Sequence, residues 1–388
     1  MEFSVSDMLL SLLQSEILAS SLPEGLYGSI TGEDLVALYK LAKSHDVVHI
    51  IAAPLLSNVS FTDEKLKTAY NKEQLSAVFR HVQQRHELER TCRAFEEAGI
   101  DHIPLKGAVI RRFYPRPEQR TSCDIDIYVR SEDLNRAERV MREKLKYTSD
   151  VKTPHDISFY SSSKVHIELH HDFFESGGKV NEMLSTVWDS ARTDGDFKHR
   201  FLMDDDLFVA YHIAHIAKHF SGGGCGIRPL LDLCILEEKM GYNEDAVLAL
   251  LSSCNLDKFA KNIIHLTRVW FNGESFDEMT EIMSDYIIDS ALYGTLENYV
   301  AIKQSRRGGR LGYVIGRLFM PYSKMKMIYP SLKKFPPLLP FCWVRRWFGF
   351  FRRGRASRAK MELQLSGNVS KEKQKTLISM LDRLGLEE

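Results

Sequence analysis

The chain of 388 residues is long enough for two domains, or for one large domain with appendages. Its 44% hydrophobic and 27% charged residues exclude an intrinsically disordered chain, and without a run of 18 apolar residues no transmembrane segment is expected. The formal net charge is +0, yet residues 298–361 hold 16 Lys and Arg and no Asp or Glu, so the rest of the chain carries −16.

Such asymmetry points to a polyanion, either RNA or an anionic membrane surface, as a possible partner of residues 298–361. The six cysteines (Cys92, Cys123, Cys225, Cys234, Cys254, Cys342) are scattered and form no C-x-x-C pair. This spacing favours reduced thiols and a cytoplasmic protein over a disulfide scaffold or a zinc ribbon. Residues 1–7 carry no basic stretch, so a signal peptide is not expected.

In chain order, Asp7 to Leu18 reads as an apolar-rich helix, and Thr31 to Asp34 caps a helix that ends near Ser44. Asn71 to Ala98 predicts a long helix, with Leu75, Val78, Phe79 and Val82 as its apolar face and Gly99 as its stop. Ile103 to Leu105 is a short apolar run that ends in the turn Lys106-Gly107-Ala108. The segment Val109 to Tyr114 looks helical and is stopped by Pro115. Asp124-Ile125-Asp126-Ile127-Tyr128 alternates polar and apolar residues, a strand pattern. Ser131 to Asp133 opens a helix with the stripe Leu134, Ala137, Val140, Met141 and Leu145. Phe159-Tyr160 and Val165 to Leu169 read as a hairpin around Ser161 to Ser163. From Asp204 to about Arg317 the patterns are helical, with Ser221 to Gly226 as a flexible break. Lys371 to Leu386 reads as a polar, solvated helix. The predicted fold is α+β: a small mixed β-sheet with helices on one side, set between N-terminal and C-terminal helical segments.

Residues two apart on a strand share a face, so Asp124 and Asp126 project together while Ile125 and Ile127 enter the core. Adjacent carboxylates repel unless a cation lies between them, and hard oxygen donors suit Mg²⁺ or Mn²⁺. Glu168 is the expected third ligand, or a base for an acceptor hydroxyl. It sits mid-strand, whereas Asp156 precedes its strand and Asp172 and Glu175 follow theirs. A strand–glycine–helix turn offers backbone N–H groups and a positive helix end to a phosphate. Lys106, Arg116 and Arg120 are candidate phosphate contacts. His212, His215 and His219 share a helix face. No cysteine or acid joins them at zinc-ligand spacing, so a polar face lining a cleft or packing on the sheet is expected. His170 and His171 either orient a carboxylate or lie exposed. In Phe341 to Arg358 the aromatics are expected to dock on the catalytic lobe, with the arginines solvated.

The order strand, glycine turn, helix, Asp-x-Asp strand, helix, Glu168 strand resembles the nucleotidyltransferase superfamily that includes polymerase β and the aminoglycoside nucleotidyltransferases. The fuller string Leu105-Lys106-Gly107, Tyr114-Pro115, Arg120, Asp124-Ile125-Asp126 and Glu168-Leu169-His170 resembles the bacterial family of uncharacterised nucleotidyltransferases, over about residues 75 to 345. A histidine-bearing helix followed by Arg228 to Leu233 belongs to the same resemblance.

The resemblance implies an NTP donor such as ATP and two divalent metals. Asp124 and Asp126 would bind both metals, and Glu168 the catalytic one. Lys106, Gly107, Ala108 and Arg120 would hold the nucleotide, with the Gly107 amides on the β,γ-phosphates. With the patterns along the chain, the resemblance divides it into an N-terminal helical region over 1–98, a nucleotidyltransferase core over 99–200, a helical acceptor-side lobe over 201–340, and a basic aromatic segment with a helical tail over 341–388. One position departs from the superfamily: Ala108 stands where a glycine or a hydroxyl-bearing serine is usual. That departure supports a rival expectation, a nucleotide-binding or regulatory protein that keeps the fold without the chemistry. A D-x-D glycosyltransferase is a further alternative, and it would require parallel strands alternating with helices ahead of Asp124. The acceptor stays open among small molecules, sugars, RNA ends and proteins.

Overall fold

Five strands form one mixed sheet: β1 (His102–Pro104), β2 (Asp124–Val129), β3 (Thr148–Lys152), β4 (Asp156–Tyr160) and β5 (His166–His170), in the spatial order β1-β2-β5-β4-β3. In this computed structural model the residues described are 3–174, 178–292, 294–352, 361–362, 364–365, 367 and 370–386. Glu175 and Arg353 to Arg358 lie outside them, as do the side chains of Phe350, Phe351 and Arg352.

β2 and β5 run parallel, with Asp124 opposite His166 and Asp126 opposite Glu168; the other pairs are antiparallel. The expected hairpin of β4 and β5 is present, around Ser161 to Ser163. Before Asp124 the described residues hold helices and the single short strand β1, so the alternating parallel sheet of a glycosyltransferase is not what precedes the motif.

The strand alternation sets the layers. Ile125, Ile127, Val129, Ile167, Leu169, Ile157 and Phe159 pack on Phe95 of the long helix Glu64–Glu97 and on Ala137, Met141 and Leu145. The opposite face is covered too: Tyr128 stacks on Phe173 at 4.3 Å between ring centres, and Phe173 meets Tyr211 edge-on. The sheet is thus clad on both sides rather than on one.

The N-terminal helices Val5–Leu18, Gly32–Ser44 and Val48–Asn58 share one apolar core with Asp205–Ser221, Arg228–Lys239 and Asp257–Phe271. Ser4 and Thr31 each close a capping box at the first two of these helices.

Several expectations are corrected. The long helix starts at Glu64, capped by Asp63, and the ridge Leu75, Val78, Phe79, Val82 faces solvent, with Leu75 71% and Phe79 65% exposed. Its buried side includes Gln84 and Glu87, which are tolerated there because both are hydrogen-bonded, Gln84 to the Ser122 carbonyl and Glu87 to Tyr147 and Ser163. The stretch Ser221 to Gly226 is packed rather than loose. Gly224 has φ of +122°, and a Cβ there would lie 2.2 Å from Ser290 Oγ. The tail helix Lys371–Arg383 buries Leu377, Met380 and Leu381 in the main core, so it is docked rather than solvated. Among the described side chains, those of the basic aromatic helix Leu339–Arg352 pack in a cluster of their own, apart from the core of the sheet. Trp343 and Trp347 donate their indole N–H groups to the carbonyls of Met320 and Leu318, beside a small cluster of Met325, Leu332 and Cys342. All six cysteines are free thiols, and no described helix is long and apolar enough to cross a membrane.

Candidate functional site

Parallel pairing of β2 and β5 brings Asp124, Asp126, His166, Glu168 and His170 onto one face of the sheet, because the apolar residues between them are claimed by the core on the other. Asp124, His166 and Glu168 can offer ligand atoms within 4.8 Å of one another, and so can Asp126, Glu168 and His170. Glu168 is therefore brought to each of the two aspartates, in two groups that share it. A third group of the same kind, His155 just before β4, Asp156 on β4 and His170 on β5, shares His170 with the site.

The electrostatics of this face are unequal. Burial and the Asp126 carboxylate push Asp124 up to about 6. Burial would also raise Asp126, but Lys106 and His170 outweigh it and hold Asp126 well below the usual carboxylate range. Lys106 Nζ lies 2.7 Å and His170 Nε2 2.9 Å from Asp126 Oδ1. Against burial and the Lys106 charge, the bonds to Asp126 and Glu168 raise His170 to about 9. His170 is thus the histidine that orients a carboxylate, and the strand alternation around Glu168 was the signal that could have named His166 and His170 together.

Lys106 belongs to the turn between β1 and a helix of only four residues, Gly107–Ile110. Its backbone has φ +46° and ψ −123°, a conformation that L residues rarely adopt and that costs about 1–3 kcal/mol. The Ala108 and Val109 amides donate to the carbonyls of Leu105 and Lys106. The expected cradle of backbone amides is therefore reduced to the start of the turn, and the helix behind it is too short to add much dipole. Gly107 is demanded from inside. A Cβ there would lie 3.3 Å from Ser122 Cβ and 3.5 Å from Arg120 Nη1.

Arg120 is placed differently from the expected phosphate contact. Its Nε lies 2.6 and 2.9 Å from the two oxygens of Asp232, which also accepts from Tyr114 Oη at 2.7 Å. A guanidinium this deeply buried needs such a partner. Arg120 therefore fixes the loop entering β2. Arg116 reaches Glu16 at the surface, 2.9 Å away. The segment Arg228 to Leu233 gains a structural meaning here, since Asp232 holds Arg120, and Arg228 Nη1 lies 2.7 Å from Asp46 Oδ2. Arg111 completes the brace with bonds to the Gly107 carbonyl, Gln84 and Ser122. None of these long-range partners carries a local sequence signal.

The histidine helix Asp205–Ser221 borders the carboxylate face, as the expectation of a cleft-lining polar face requires. Tyr211 feels the charges of Lys106, Asp126, Glu168 and Asp124. His215, deprived of charge by burial and by Lys106, sits with its Nε2 3.3 Å from His219 Nε2, while His212 Nε2 bonds the Pro229 carbonyl at 3.0 Å.

A sequence profile of the family described as "Uncharacterised nucleotidyltransferase" matches residues 31–272. The match takes in the turn, the carboxylates and the histidine helix, begins earlier than the motifs alone suggested, and ends before the basic segment. Neither the curated proteins nor the solved structures yield a match.

Proposed function

Since the chain belongs to the family of uncharacterised nucleotidyltransferases, we propose that it moves a nucleoside monophosphate from an NTP to an acceptor hydroxyl, with Asp124, Asp126 and Glu168 holding Mg²⁺ or Mn²⁺. Family membership supports nucleotidyl transfer in general. The observation that carries the finer reading is the register of β2 and β5, which sets Asp126 opposite Glu168 with Asp124 on the same face.

The donor set fits a hard divalent cation: Glu168 joins Asp124 in one group of ligand atoms and Asp126 in another, and the Lys106 ammonium already supplies positive charge to Asp126. The imidazole of His166, grouped with Asp124 and Glu168, makes Mn²⁺ as suitable as Mg²⁺. When bound, the metal would supply charge neutralisation for the phosphates and acidify the acceptor hydroxyl. Lys106, partly exposed at the mouth of the carboxylates, is the residue placed to meet the triphosphate. His170 orients Asp126, and Glu168, less buried than Asp126, is the carboxylate placed to accept the hydroxyl proton. Tyr211, on the histidine helix, is buried beside the site.

One observation favours a second reading. Lys106 neutralises Asp126 without a metal, as it would in a protein that binds nucleotide but performs no transfer. Incubating the purified protein with each labelled NTP and Mn²⁺ separates the two. Labelled products that vanish in Asp124→Asn and Asp126→Asn are expected. Nucleotide binding without any product, or full activity in either variant, would overturn the transfer reading.

A further inference from the structure

We propose that the C-terminal basic segment is a docking surface for an anionic lipid bilayer, on which the protein lies without spanning it. Two amphipathic helices show their apolar sides to solvent. On Arg310–Leu318 the residues Leu311, Ile315 and Leu318 recur at helical spacing along one side, with Leu311 73% exposed. The opposite side is anchored inward, with Tyr313 buried and bonded to Glu362. On Leu339–Arg352 the residues Phe341, Val344 and Phe348 form a second ridge, 73%, 42% and 68% exposed. The two helices meet at one corner. The Phe319 ring lies 5.2 Å from Trp343 and 5.5 Å from Trp347, and both indole N–H groups are spent on carbonyls at the end of the first helix. Both ridges are therefore features of a bonded arrangement rather than of unattached ends.

Charge identifies the occupant. No Asp or Glu occurs from 298 to 361. Arg310 and Arg345 are exposed on the two ridge helices, and Lys324, Lys333 and Lys334 on the stretch that joins them. Apolar ridges rimmed by cations match the boundary between acyl chains and anionic headgroups, where long basic side chains reach up to phosphates while their stems stay apolar. RNA shares the negative charge, but it rewards stacking planes. Four of these six exposed residues (Leu311, Ile315, Leu318, Val344) are aliphatic and offer bases no stacking plane. The surface also lies beyond residue 272, where the match to the family ends.

The test is flotation of the full chain with vesicles of phosphatidylcholine alone and of phosphatidylcholine with about 30 mol% phosphatidylglycerol, at physiological salt. Binding to the anionic vesicles alone is expected. The pairs Phe341→Ser/Phe348→Ser and Leu311→Ser/Ile315→Ser should each weaken it by roughly tenfold or more, and Lys333→Glu/Lys334→Glu by several-fold. The altered side chains are exposed, so thermal melting should match the wild type. A poly(U) titration of the same variants is the control. Failure to float, equal flotation on neutral vesicles, or binding untouched by the serine pairs would overturn the proposal. Poly(U) binding that falls in step with the serine pairs would assign the surface to RNA instead, and a dimer abolished by those pairs would assign it to a second copy. No outcome depends on whether the enzyme turns over NTP.

Discussion

The Lys106 ammonium stands 2.7 Å from Oδ1 of Asp126, the same oxygen that His170 approaches to 2.9 Å. This pairing explains how neighbouring carboxylates coexist on one strand face: Asp126 stays ionised against two cations, and Asp124, left with its burial and the repulsion, is raised to about 6.

Removing the lysine charge should therefore expose a cation requirement. Lys106→Met leaves Asp126 buried with half its compensation and should cost about 3 kcal/mol of stability without metal. Added Mn²⁺ should raise the melting temperature of Lys106→Met more than that of the wild type. Calorimetry with and without Mn²⁺ measures this, and equal metal responses would show that Lys106 does not substitute for a cation.

The turn makes a separate prediction, because the missing side chain of Gly107 faces Ser122 rather than solvent. Gly107→Val should destabilise the fold by about 1–3 kcal/mol through overpacking, as well as disturb nucleotide binding. Ala108→Ser adds a hydroxyl at a partly exposed site where the superfamily commonly has one, and should keep wild-type stability while tightening NTP binding by about 1 kcal/mol. Urea midpoints and a fluorescent NTP titration separate the two effects. Weaker NTP binding in Ala108→Ser would place the triphosphate elsewhere.

Such features divide what sequence could tell from what it could not. The period-two alternation of Asp124 to Tyr128 and of Val165 to Leu169 is enforced by Ile125, Ile127, Ile167 and Leu169 entering one core, so the shared face of Asp124, Asp126 and Glu168 was legible. β3 was not, because Thr148–Lys152 is mostly polar and forms the edge of the sheet. Leu75, Val78, Phe79 and Val82 read as a core face, but the helix instead buries Gln84 and Glu87, whose partners lie on distant loops. The tail helix has apolar spacing at 377, 380, 381 and 384, and its charged remainder obscured that stripe. Arg120 looked like a phosphate ligand because nothing local reveals Asp232, 112 residues away.

That pair is itself testable. Asp232 is fully buried and serves both Arg120 and Tyr114. Asp232→Ala strands a buried guanidinium and should cost about 3–5 kcal/mol. The double variant Arg120→Met/Asp232→Leu should recover much of that loss, because neither charge is then left alone. Denaturant unfolding of the single and double variants reads the coupling, and additive losses would mean that the two residues act independently.

Finally, His45 sets a pH dependence on the helical core away from the carboxylates. It is fully buried where the helix Gly32–Ser44 ends. Its Nε2 lies 3.2 Å from the Ile288 carbonyl, and its Nδ1 accepts from the Ile227 amide at 3.4 Å. Those bonds suit the neutral ring, and burial pulls its pKa down to about 4 despite the Ile288 carbonyl. A histidine depressed in the folded state stabilises the fold fully above its unfolded value near 6.5 and loses that contribution as pH falls toward 4. The loss amounts to about 3 kcal/mol at most. His45→Gln removes the titrating group, so the stability gap between wild type and variant should narrow steadily from pH 7 to pH 4.5. Urea unfolding across that range measures the gap. A gap that stays constant would show that His45 takes up no proton on unfolding.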